Sequence, residues 1–326
     1  MTAILVAGGA GYVGAHVARA LAGAGFLPVT LDDLSAGFRA FVKWGPLIEA
    51  GVDDRAAIDA AIVEHRIQAC VLLAGSIEVG RSVREPLAFW RNNVAAPLVL
   101  LERLAAARIG AVVFSSTAAV YGAPDIVPIP ETHALRPANP YGETKLAVER
   151  VLAALRDAGG PAWVALRYFN AAGAAVADGI GEAHEPETHL IPLACLAALG
   201  AKPPLSVMGD DYDTPDGTAI RDYVHVEDLA DAHVEAVRAG LAGRSGAFNL
   251  GTGTGHSVRE VLRAVEAASG RQAPHSIGPR RPGDVARLVA DPRRAAKELG
   301  WRAKRDLAAI VDSAWRWHAQ RTGAKT

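Results

Sequence analysis

The chain has 326 residues, half of them apolar, and a formal net charge of −1. This length and apolar content are enough for one large α/β domain with a smaller lobe. The dispersed charge favours neither nucleic acid nor a membrane as a partner, and we expect a soluble, cytoplasmic protein. The two cysteines, Cys70 and Cys195, lie in apolar stretches, so the sequence predicts buried free thiols and no metal site.

A glycine-rich turn follows the first apolar run. Residues 3–7 are apolar, and Gly8-Gly9-Ala10-Gly11-Tyr12-Val13-Gly14 stands between them and a helical pattern. Glycines at this place let the backbone approach a pyrophosphate, whose charge then lies at a helix N-terminus. The second strand ends in Asp32 and Asp33, where a carboxylate can bind the 2′-hydroxyl of NAD and repel the 2′-phosphate of NADP. The pattern predicts NAD binding, with Arg39 as the one nearby residue that favours NADP.

Strands and helices alternate along the rest of the chain. This alternation predicts an α/β fold with a Rossmann-type doubly wound parallel sheet. Residues 1–170 form the predicted NAD-binding domain, and residues 171–326 form a smaller C-terminal α/β lobe for the substrate. Within that lobe, residues of about 221–251 are expected to return to the first domain. We predict strands at 28–31, 46–49, 69–73, 111–114, 162–167 and 248–251, helices at 56–65, 86–107, 140–156, 227–239 and 257–268, and an irregular loop at 171–192.

The stretch Asn139-Pro140-Tyr141-Gly142-Glu143-Thr144-Lys145 predicts a helix start that carries two functional side chains. Asn139 is a good N-cap, and Pro140 suits the first helical position. Tyr141 and Lys145 then lie one turn apart on the same face, where a phenol and an ammonium can reach one reacting centre. Only six of the 34 basic residues are lysine. Arginine cannot replace lysine as a compact charge with a tunable pKa. Taken alone, the pair could also be an accidental surface feature.

Tyr141 can act as a base only if its pKa falls. A tyrosine pKa of about 10 must drop by about three units for a base near neutrality, which corresponds to ~4 kcal/mol. The helix N-terminus contributes roughly 0.3–1 kcal/mol of this. We therefore expect the rest to come from Lys145 and from a further positive charge, such as an oxidised nicotinamide ring.

Two other groups of polar residues lie where ligands could bind. Ser115-Ser116-Thr117 follow the fifth strand, at the sheet edge where open parallel sheets bind ligands, although such hydroxyls could also merely cap the backbone. Arg280 and Arg281 are consecutive arginines in a loop, and such residues are usually solvated. With Arg221 they could instead clamp a second diphosphate by bidentate contacts.

Six motifs together resemble the UDP-glucose 4-epimerases of the extended short-chain dehydrogenase/reductase superfamily. The first three are shared across the superfamily, whereas the last three, in this order, point much more narrowly to the 4-epimerases. The resemblance covers nearly the whole chain. It implies an enzyme that interconverts UDP-glucose and UDP-galactose with tightly held NAD through a transient 4-keto sugar, and that forms a homodimer. The motifs are Gly8 to Gly14, Ser115-Ser116-Thr117, Tyr141 to Lys145, Arg167-Tyr168-Phe169-Asn170, Arg221-Asp222-Tyr223-Val224-His225, and Arg280-Arg281 with Gly283-Asp284.

The resemblance also implies a role for each site residue. Tyr141 would take the proton from the sugar 4-hydroxyl, Thr117 would hydrogen-bond the same oxygen, and Lys145 would bind the nicotinamide ribose. The implied cofactor-binding residues are Gly8, Gly11, Tyr12, Val13, Gly14, Asp32, Asp33, Gly51, Val52, Leu73, Ala74, Gly75, Asn93, Ser115, Tyr141, Lys145, Tyr168 and Phe169. The implied substrate-binding residues are Thr117, Tyr141, Asn170, His189, Leu190, Ser206, Met208, Arg221, Tyr223, Arg281, Asp284 and Leu288.

The chain departs from the family pattern at four places. Gly51-Val52 stand where the family has an acidic and a hydrophobic residue for the adenine, and Ser76-Ile77 stand where a lysine is common. His189 occupies a position near the nucleotide where many relatives carry asparagine. Leu288 is at the position that limits the room for the 2-substituent of the sugar.

Three alternatives remain open. A nucleotide-sugar 4,6-dehydratase would need an acid pair directly after Thr117, where this chain has Ala118-Ala119. A dinucleotide-sensing regulator would keep the glycine turn without needing Thr117, Tyr141 and Lys145 together. A 4-epimerase of another UDP-sugar (xylose/arabinose, glucuronate or N-acetylglucosamine) would keep the chemistry and change only the substrate.

Overall fold

The computed structural model describes residues 1–281 and 283–323. Strands and helices alternate in its first half, as the sequence predicts. These elements are β1 (Ala3–Ala7), α1 (Tyr12–Gly23), β2 (Leu27–Asp32), β3 (Leu47–Glu49), α2 (Arg55–His65), β4 (Ile67–Leu72), α3 (Val79–Arg84), α4 (Pro86–Trp90), α5 (Ala96–Ala106), β5 (Ala111–Thr117), α6 (Pro140–Asp157) and β6 (Ala162–Tyr168).

The second half has shorter strands. Its elements are β7 (Asn170–Ala172), β8 (Ala174–Ala175), β9 (Ile180–Gly181), α7 (Leu190–Ala198), β10 (Leu205–Met208), β11 (Ile220–Arg221), β12 (Tyr223–His225), α8 (Val226–Leu241), β13 (Gly246–Leu250), β14 (His256–Ser257), α9 (Val258–Ser269), β15 (His275–Gly278), β16 (Arg287–Leu288), α10 (Arg293–Glu298) and α11 (Leu307–Thr322).

Within the described residues, seven parallel strands form the main sheet, in the order β13-β6-β5-β4-β1-β2-β3. The chain builds β1 to β3 outward on one side and β4 to β6 outward on the other. The strand order therefore reverses between β1 and β4, and ligands of doubly wound sheets bind at this point, beyond the carboxyl ends of the strands. Two apolar cores cover the two faces of the sheet, as the parallel arrangement requires. The predicted fold class is confirmed.

A third core holds the smaller lobe together. It is built on α7, α9 and α11, with Ile191, Val261 and Ile310 among its fully buried side chains. Two small sheets, β10-β15 and β14-β11-β16, belong to this half of the chain. The later elements α8 and β13 lie with the main sheet, since β13 pairs with β6. None of the helices in the described part of the chain is long and apolar enough to span a membrane.

Three sequence predictions need correction. The fifth strand does not end at residue 114, because Ser115 to Thr117 stay paired with Leu166 to Tyr168. The helix predicted at 86–107 contains a π-helical turn at Arg91–Ala95. The segment predicted as irregular contains β7 to β9 and the start of α7, because β7 finds a parallel partner in the distant β12.

Candidate active site

A tight glycine turn joins β1 to α1. Gly8 has a φ of +86°, in the left-handed region that favours glycine, and a Cβ there would lie 2.6 Å from the backbone nitrogen of Ala74. A Cβ at Gly14 would lie 2.0 Å from the carbonyl oxygen of Gly8. Because only glycine fits at both positions, the turn stays compact and the first turn of α1 is open to a close approach by an anion.

Tyr12 and Val13 turn their side chains away from this opening. The Tyr12 hydroxyl donates to the carbonyl oxygen of Gly173 at 2.6 Å, and Val13 packs against the core on one face of the sheet. If these residues bind the cofactor as predicted, they can therefore offer only their backbone N–H groups.

Asp32 ends β2 beside the glycine turn and is buried. Its Oδ2 accepts the Ala10 N–H at 2.9 Å, and its Oδ1 accepts the Leu34 N–H at 2.9 Å. Burial raises the pKa of Asp32, and these two N–H groups oppose that rise. Each oxygen keeps a lone pair for a further donor, such as a ribose hydroxyl. Arg39, the residue that would favour NADP, is paired with Glu49.

Asn93 connects the segment after β4 with α6. Its Oδ1 accepts the Ser76 N–H at 2.7 Å, and its Nδ2 donates to the Ser76 carbonyl at 2.9 Å and to Thr144 Oγ1 at 3.3 Å. Asn93 lies in the π-helical turn, a feature that often marks functional sites. The Asn93 amide therefore holds Ser76, one of the two residues at the position where a lysine is common in the family.

The start of α6 confirms the predicted cap and brings Tyr141 to the end of β5. Asn139 Oδ1 accepts the Gly142 N–H at 2.9 Å, and Pro140 lies in the first turn. The Thr117 side chain lies close enough to Tyr141 to lower the pKa of the phenol. Because Thr117 Oγ1 already accepts the Ala119 N–H at 3.1 Å, its own proton is available to the phenol oxygen.

Lys145 is buried next to Tyr141. Its Nζ donates to the carbonyl oxygen of Ser115 at 3.0 Å and lies 5.9 Å from the centre of the Tyr141 ring. A Cβ at Gly75 would lie 3.7 Å from this nitrogen, and the Ser115 hydroxyl bonds to that of Tyr168. The structure thus brings predicted residues from four segments together at the carboxyl ends of β4, β5 and β6.

The surroundings of Tyr141 do not by themselves make it acidic. The pKa of Tyr141 is raised to about 12, because the effect of burial outweighs the opposing effect of the Thr117 side chain. Burial lowers the pKa of Lys145 to about 8. Activation of the phenol therefore requires a positive charge in addition to these residues, the condition the sequence predicts.

Several predicted substrate-binding residues meet between the sheet and the smaller lobe. Tyr223 is the register partner of Asn170 in the β12–β7 pair, and Arg221 is the partner of Leu288 in the β11–β16 pair. Arg221 Nη2 lies 3.8 Å from Asp284 Oδ1. Two short parallel pairings thus bring four predicted residues together, and the contact with Arg221 adds Asp284.

The two consecutive arginines do not behave as a pair. Arg280 Nε donates to Asp211 Oδ1 at 2.6 Å, and its guanidinium lies 4.3 Å from the centre of the Tyr212 ring. Arg281 is exposed. Of the predicted residues on β10, Ser206 is exposed and its hydroxyl lies 3.5 Å from the sulfur of Met208.

Comparison with known proteins identifies the family. The model of the NAD dependent epimerase/dehydratase family matches residues 4–251. The chain belongs to this family.

Individual relatives extend the similarity to nearly the full length. A protein of Rhizobium meliloti (strain 1021) named UDP-glucose 4-epimerase is 52% identical over 98% of this chain and 97% of its own. The crystal structure of UDP-glucose 4-epimerase from Brucella ovis in complex with NAD superposes with a TM-score of 0.94 at 45% identity, covering 97% of this chain and 98% of its own. The enzyme from Stenotrophomonas maltophila with bound NAD and formylated UDP-arabinopyranose gives 0.95 at 39% identity, covering 99% and 100%.

The polar groups at this site are suited to bind a dinucleotide. The compact glycine turn leaves an open helix start for a pyrophosphate, and Asp32 keeps acceptor capacity for a ribose. At the family's adenine position, Val52 packs against the sheet core, and a Cβ on Gly51 would lie 2.6 Å from Asp53 Oδ1. Asp53 is thus the carboxylate nearest to that position.

Sequence reasoning missed a buried network beneath the candidate active site. Glu149 Oε1 accepts from Ser116 Oγ at 2.5 Å and from Arg167 Nε at 3.0 Å, while its Oε2 accepts from Arg167 Nη2 at 2.5 Å. Arg167 Nη1 donates to the Tyr121 hydroxyl at 3.0 Å, and this hydroxyl donates to Asn249 Oδ1 at 2.7 Å. The only signal in the sequence was two charged residues at positions otherwise patterned for burial.

A second missed group lies in the segment that the sequence left irregular. Glu182, His184, Glu187 and His189 bring their polar atoms within 4.8 Å of one another, and we call them the acid–histidine cluster. Only His189 was predicted as a site residue. The alternating spacing of acids and histidines in residues 182–189 was the available signal.

Proposed function

We propose that the protein is a NAD-dependent 4-epimerase that interconverts UDP-glucose and UDP-galactose. The observation that carries this proposal is the meeting of Thr117, Tyr141 and Lys145 at the end of β5, with Thr117 close enough to lower the pKa of the phenol and Lys145 held by the Ser115 carbonyl. The relatives described above, which are named UDP-glucose 4-epimerase, support the choice of reaction.

The chemistry is divided between the cofactor and the chain. NAD, when bound, supplies the acceptor and donor of the hydrogen on C4 of the sugar. Tyr141 takes the proton of the 4-hydroxyl as a phenolate and later returns it to the 4-oxygen. Thr117 hydrogen-bonds that oxygen throughout. Lys145 binds a ribose hydroxyl of the cofactor, and its charge favours the phenolate form of Tyr141.

Epimerisation requires the 4-keto sugar to turn over between the two steps. The uridine diphosphate must remain anchored while the hexose moves, so that C4 presents its opposite face. Arg221 and Arg281 are the proposed cationic contacts for the diphosphate, and Asn170 and Asp284 the proposed polar contacts. Residues 1–170 would serve the cofactor and residues 171–326 mainly the substrate.

We also propose a cytoplasmic homodimer. Four apolar side chains are exposed in a row along α3 and α4: Val79 at 44%, Val83 at 61%, Leu87 at 72% and Trp90 at 40%. An exposed apolar row of this kind is typical of a surface that a partner covers. The family resemblance supports pairing of this surface with α6.

The purified protein should convert UDP-galactose to UDP-glucose without added NAD, because the cofactor ends each cycle as it began. The products are measured by anion-exchange chromatography, and a panel of UDP-xylose, UDP-glucuronate and UDP-N-acetylglucosamine is run in parallel. Faster turnover of another UDP-sugar would change the substrate and keep the reaction. Conversion that consumes stoichiometric NAD or NADPH would contradict the proposal.

A further inference from the structure

The acid–histidine cluster places two carboxylates out of reach of solvent. The side chains of Glu182 and Glu187 are each 4% exposed, whereas those of His184 and His189 are 26% and 38% exposed. Buried carboxylates are stable only when cations or several hydrogen bonds satisfy them. The two imidazoles are the side chains in contact with them, so the cluster is a buried acid pair with two histidines at its edge.

Two carboxylates contact the Nδ1 edge of the His189 ring. Its Nδ1 lies 2.6 Å from Glu182 Oε1 and 3.0 Å from Glu187 Oε1. Glu187 Oε1 is itself fixed, because it accepts the backbone N–H groups of Thr188 at 2.7 Å and His189 at 2.8 Å. Because the Nδ1 edge faces the buried acids, the Nε2 edge belongs to the exposed side of the ring.

The two acids also determine the charge of the ring. Burial lowers the pKa of His189, but its contacts with Glu182 and Glu187 outweigh burial and raise that pKa above its ordinary value. Burial alone would raise the pKa of Glu182, but the hydrogen bonds from His184 and His189 outweigh burial, and the pKa of Glu182 is lowered. An imidazolium with Nδ1–H committed to the acids has Nε2–H left to donate.

The cluster lies between α1 and the smaller lobe. The His184 ring lies edge-on to Tyr12, in the first turn of α1, with centroids 6.2 Å apart. On the side of the smaller lobe, Leu190 packs into the core that contains Tyr223, the register partner of Asn170. The charges of the two acids also act on three other titratable groups: Tyr12 on α1, Cys195 on α7 and His318 on α11.

We propose that Glu182 and Glu187 are positioning residues of the nucleotide-sugar site, which hold His189 as an imidazolium whose Nε2–H binds the substrate diphosphate. This rests on the proposed function and on the predicted place of His189 near the nucleotide. Where many relatives carry a neutral asparagine, this chain would present a charge-assisted donor. The carboxylates would not touch the substrate and would act only through the ring.

The test removes one negative charge while keeping its shape. Glu187→Gln keeps an oxygen to accept the two backbone N–H groups but no longer stabilises the imidazolium. With UDP as the probe and holoenzyme in the calorimeter, we expect UDP affinity at pH 8 to fall about 10-fold, the size of one charge-assisted contact. KM for UDP-galactose should rise in parallel, with kcat and NAD content changing much less.

The pH profile separates positioning from a purely structural role. Because the terminal phosphate of UDP itself titrates near pH 6, each UDP affinity between pH 6 and 8.5 is compared with that of the wild type at the same pH. The affinity of Glu187→Gln relative to the wild type should decline above about pH 6.5, where an ordinary histidine loses its proton. His189→Asn should bind UDP weakly without this pH dependence. Glu185→Gln, an exposed acid in the same segment, is the matched control and should behave as the wild type.

Several outcomes would overturn the proposal. Wild-type UDP affinity and pH profile in Glu187→Gln would remove the positioning role, and equal losses of kcat, NAD content and UDP affinity would make the role structural. UDP affinity that is lost in EDTA and restored by Zn²⁺ would assign the cluster to a metal instead. If Glu187→Gln does not purify folded, Glu182→Gln carries the same expectation. In each case, turnover of UDP-galactose by the wild type tests the proposed function separately.

Discussion

Tyr141 shows how far a single residue can be interpreted from the sequence. Its spacing from Lys145 and the cap at Asn139 predict both its helix and its direction, because helical geometry is local. The pKa depends on surroundings assembled from three strands, and burial moves it upward to about 12. The proton of Thr117 and the charge of Lys145 therefore matter most once a further cation lies beside the phenol.

Tyr141→Phe tests the proposed base. The substitution removes the hydroxyl and keeps the ring, so the α6 start and the cofactor site should stay intact. We expect kcat to fall by roughly 10²–10⁴-fold, the usual contribution of a general acid–base, with NAD content unchanged. Turnover of UDP-galactose and the NAD released on denaturation are the measurements.

Wild-type protein purified in parallel and assayed in the same way is the control for this change. If Tyr141→Phe retained full activity, another group would have to be the base.

At the scale of the element, the Glu149 network fixes the relative positions of β5, α6 and β6. Ser116 precedes Thr117 on β5, and Glu149 lies one turn beyond Lys145 on α6, so one carboxylate joins both parts of the candidate active site. Arg167 connects them to β6, the third element of the network. Breaking such a buried pair typically costs 3–5 kcal/mol, because it leaves an unpaired buried charge. A sequence does not reveal these contacts, since the partners are separated by folding.

Gly14→Ala tests the glycine turn as an element. The added Cβ would lie 2.0 Å from the Gly8 carbonyl oxygen, so the turn must open and the helix start must move. We expect a purified protein with much less bound NAD and correspondingly low activity. NAD content is measured by absorbance and by release on denaturation.

Gly23→Ala is the matched control in the same helix. A Cβ at Gly23 meets nothing within 4 Å, and alanine favours a helix over glycine by up to about 1 kcal/mol. This variant should keep its NAD and be at least as stable as the wild type. Equal NAD content in both variants would contradict the role of the turn.

At the scale of the whole molecule, local patterns predict the main sheet better than the smaller lobe. The alternation of apolar runs and helical patterns predicts β1 to β6, because each strand carries its own apolar signal. The pairs β7–β12 and β11–β16 have two or three residues each and join distant segments. Such short pairings have no periodic signal, so only the folded chain reveals how Asn170, Arg221 and Leu288 meet.

The exposed apolar row tests the proposed dimer. Leu87→Glu places a charge at the centre of the row on α3 and α4, and we expect the dimer to dissociate to a 34.0 kDa monomer. Light scattering after size-exclusion chromatography measures the mass. Val63→Glu, at a 78% exposed position on α2, is the control and should leave the mass unchanged. A wild type that is monomeric at micromolar concentration would contradict the proposal.

The free energy of unfolding should fall at acidic pH, because the fold buries several histidines in their neutral form. Burial lowers the pKa of His16 to about 3, and those of His225 and His233 to about 4. In the unfolded chain these groups titrate near 6.5, so above that pH they are neutral in both states and cost nothing. As the pH falls below 6.5 the unfolded state takes up protons that the folded state refuses, and stability is lost down to pH 4.

Each such histidine should lower the free energy of unfolding at pH 5 by up to about 2 kcal/mol. His233→Phe removes one of them, so the loss of stability between pH 7 and pH 5 should shrink by about that amount, as measured by urea unfolding at both pH values. His275→Phe, at an exposed position on β15, should leave the difference unchanged. The comparison of differences matters because His233→Phe also removes the bond to the Leu229 carbonyl, which lowers stability equally at both pH values. An unchanged difference in His233→Phe would mean that the ring takes up its proton as readily in the folded protein as in the unfolded chain.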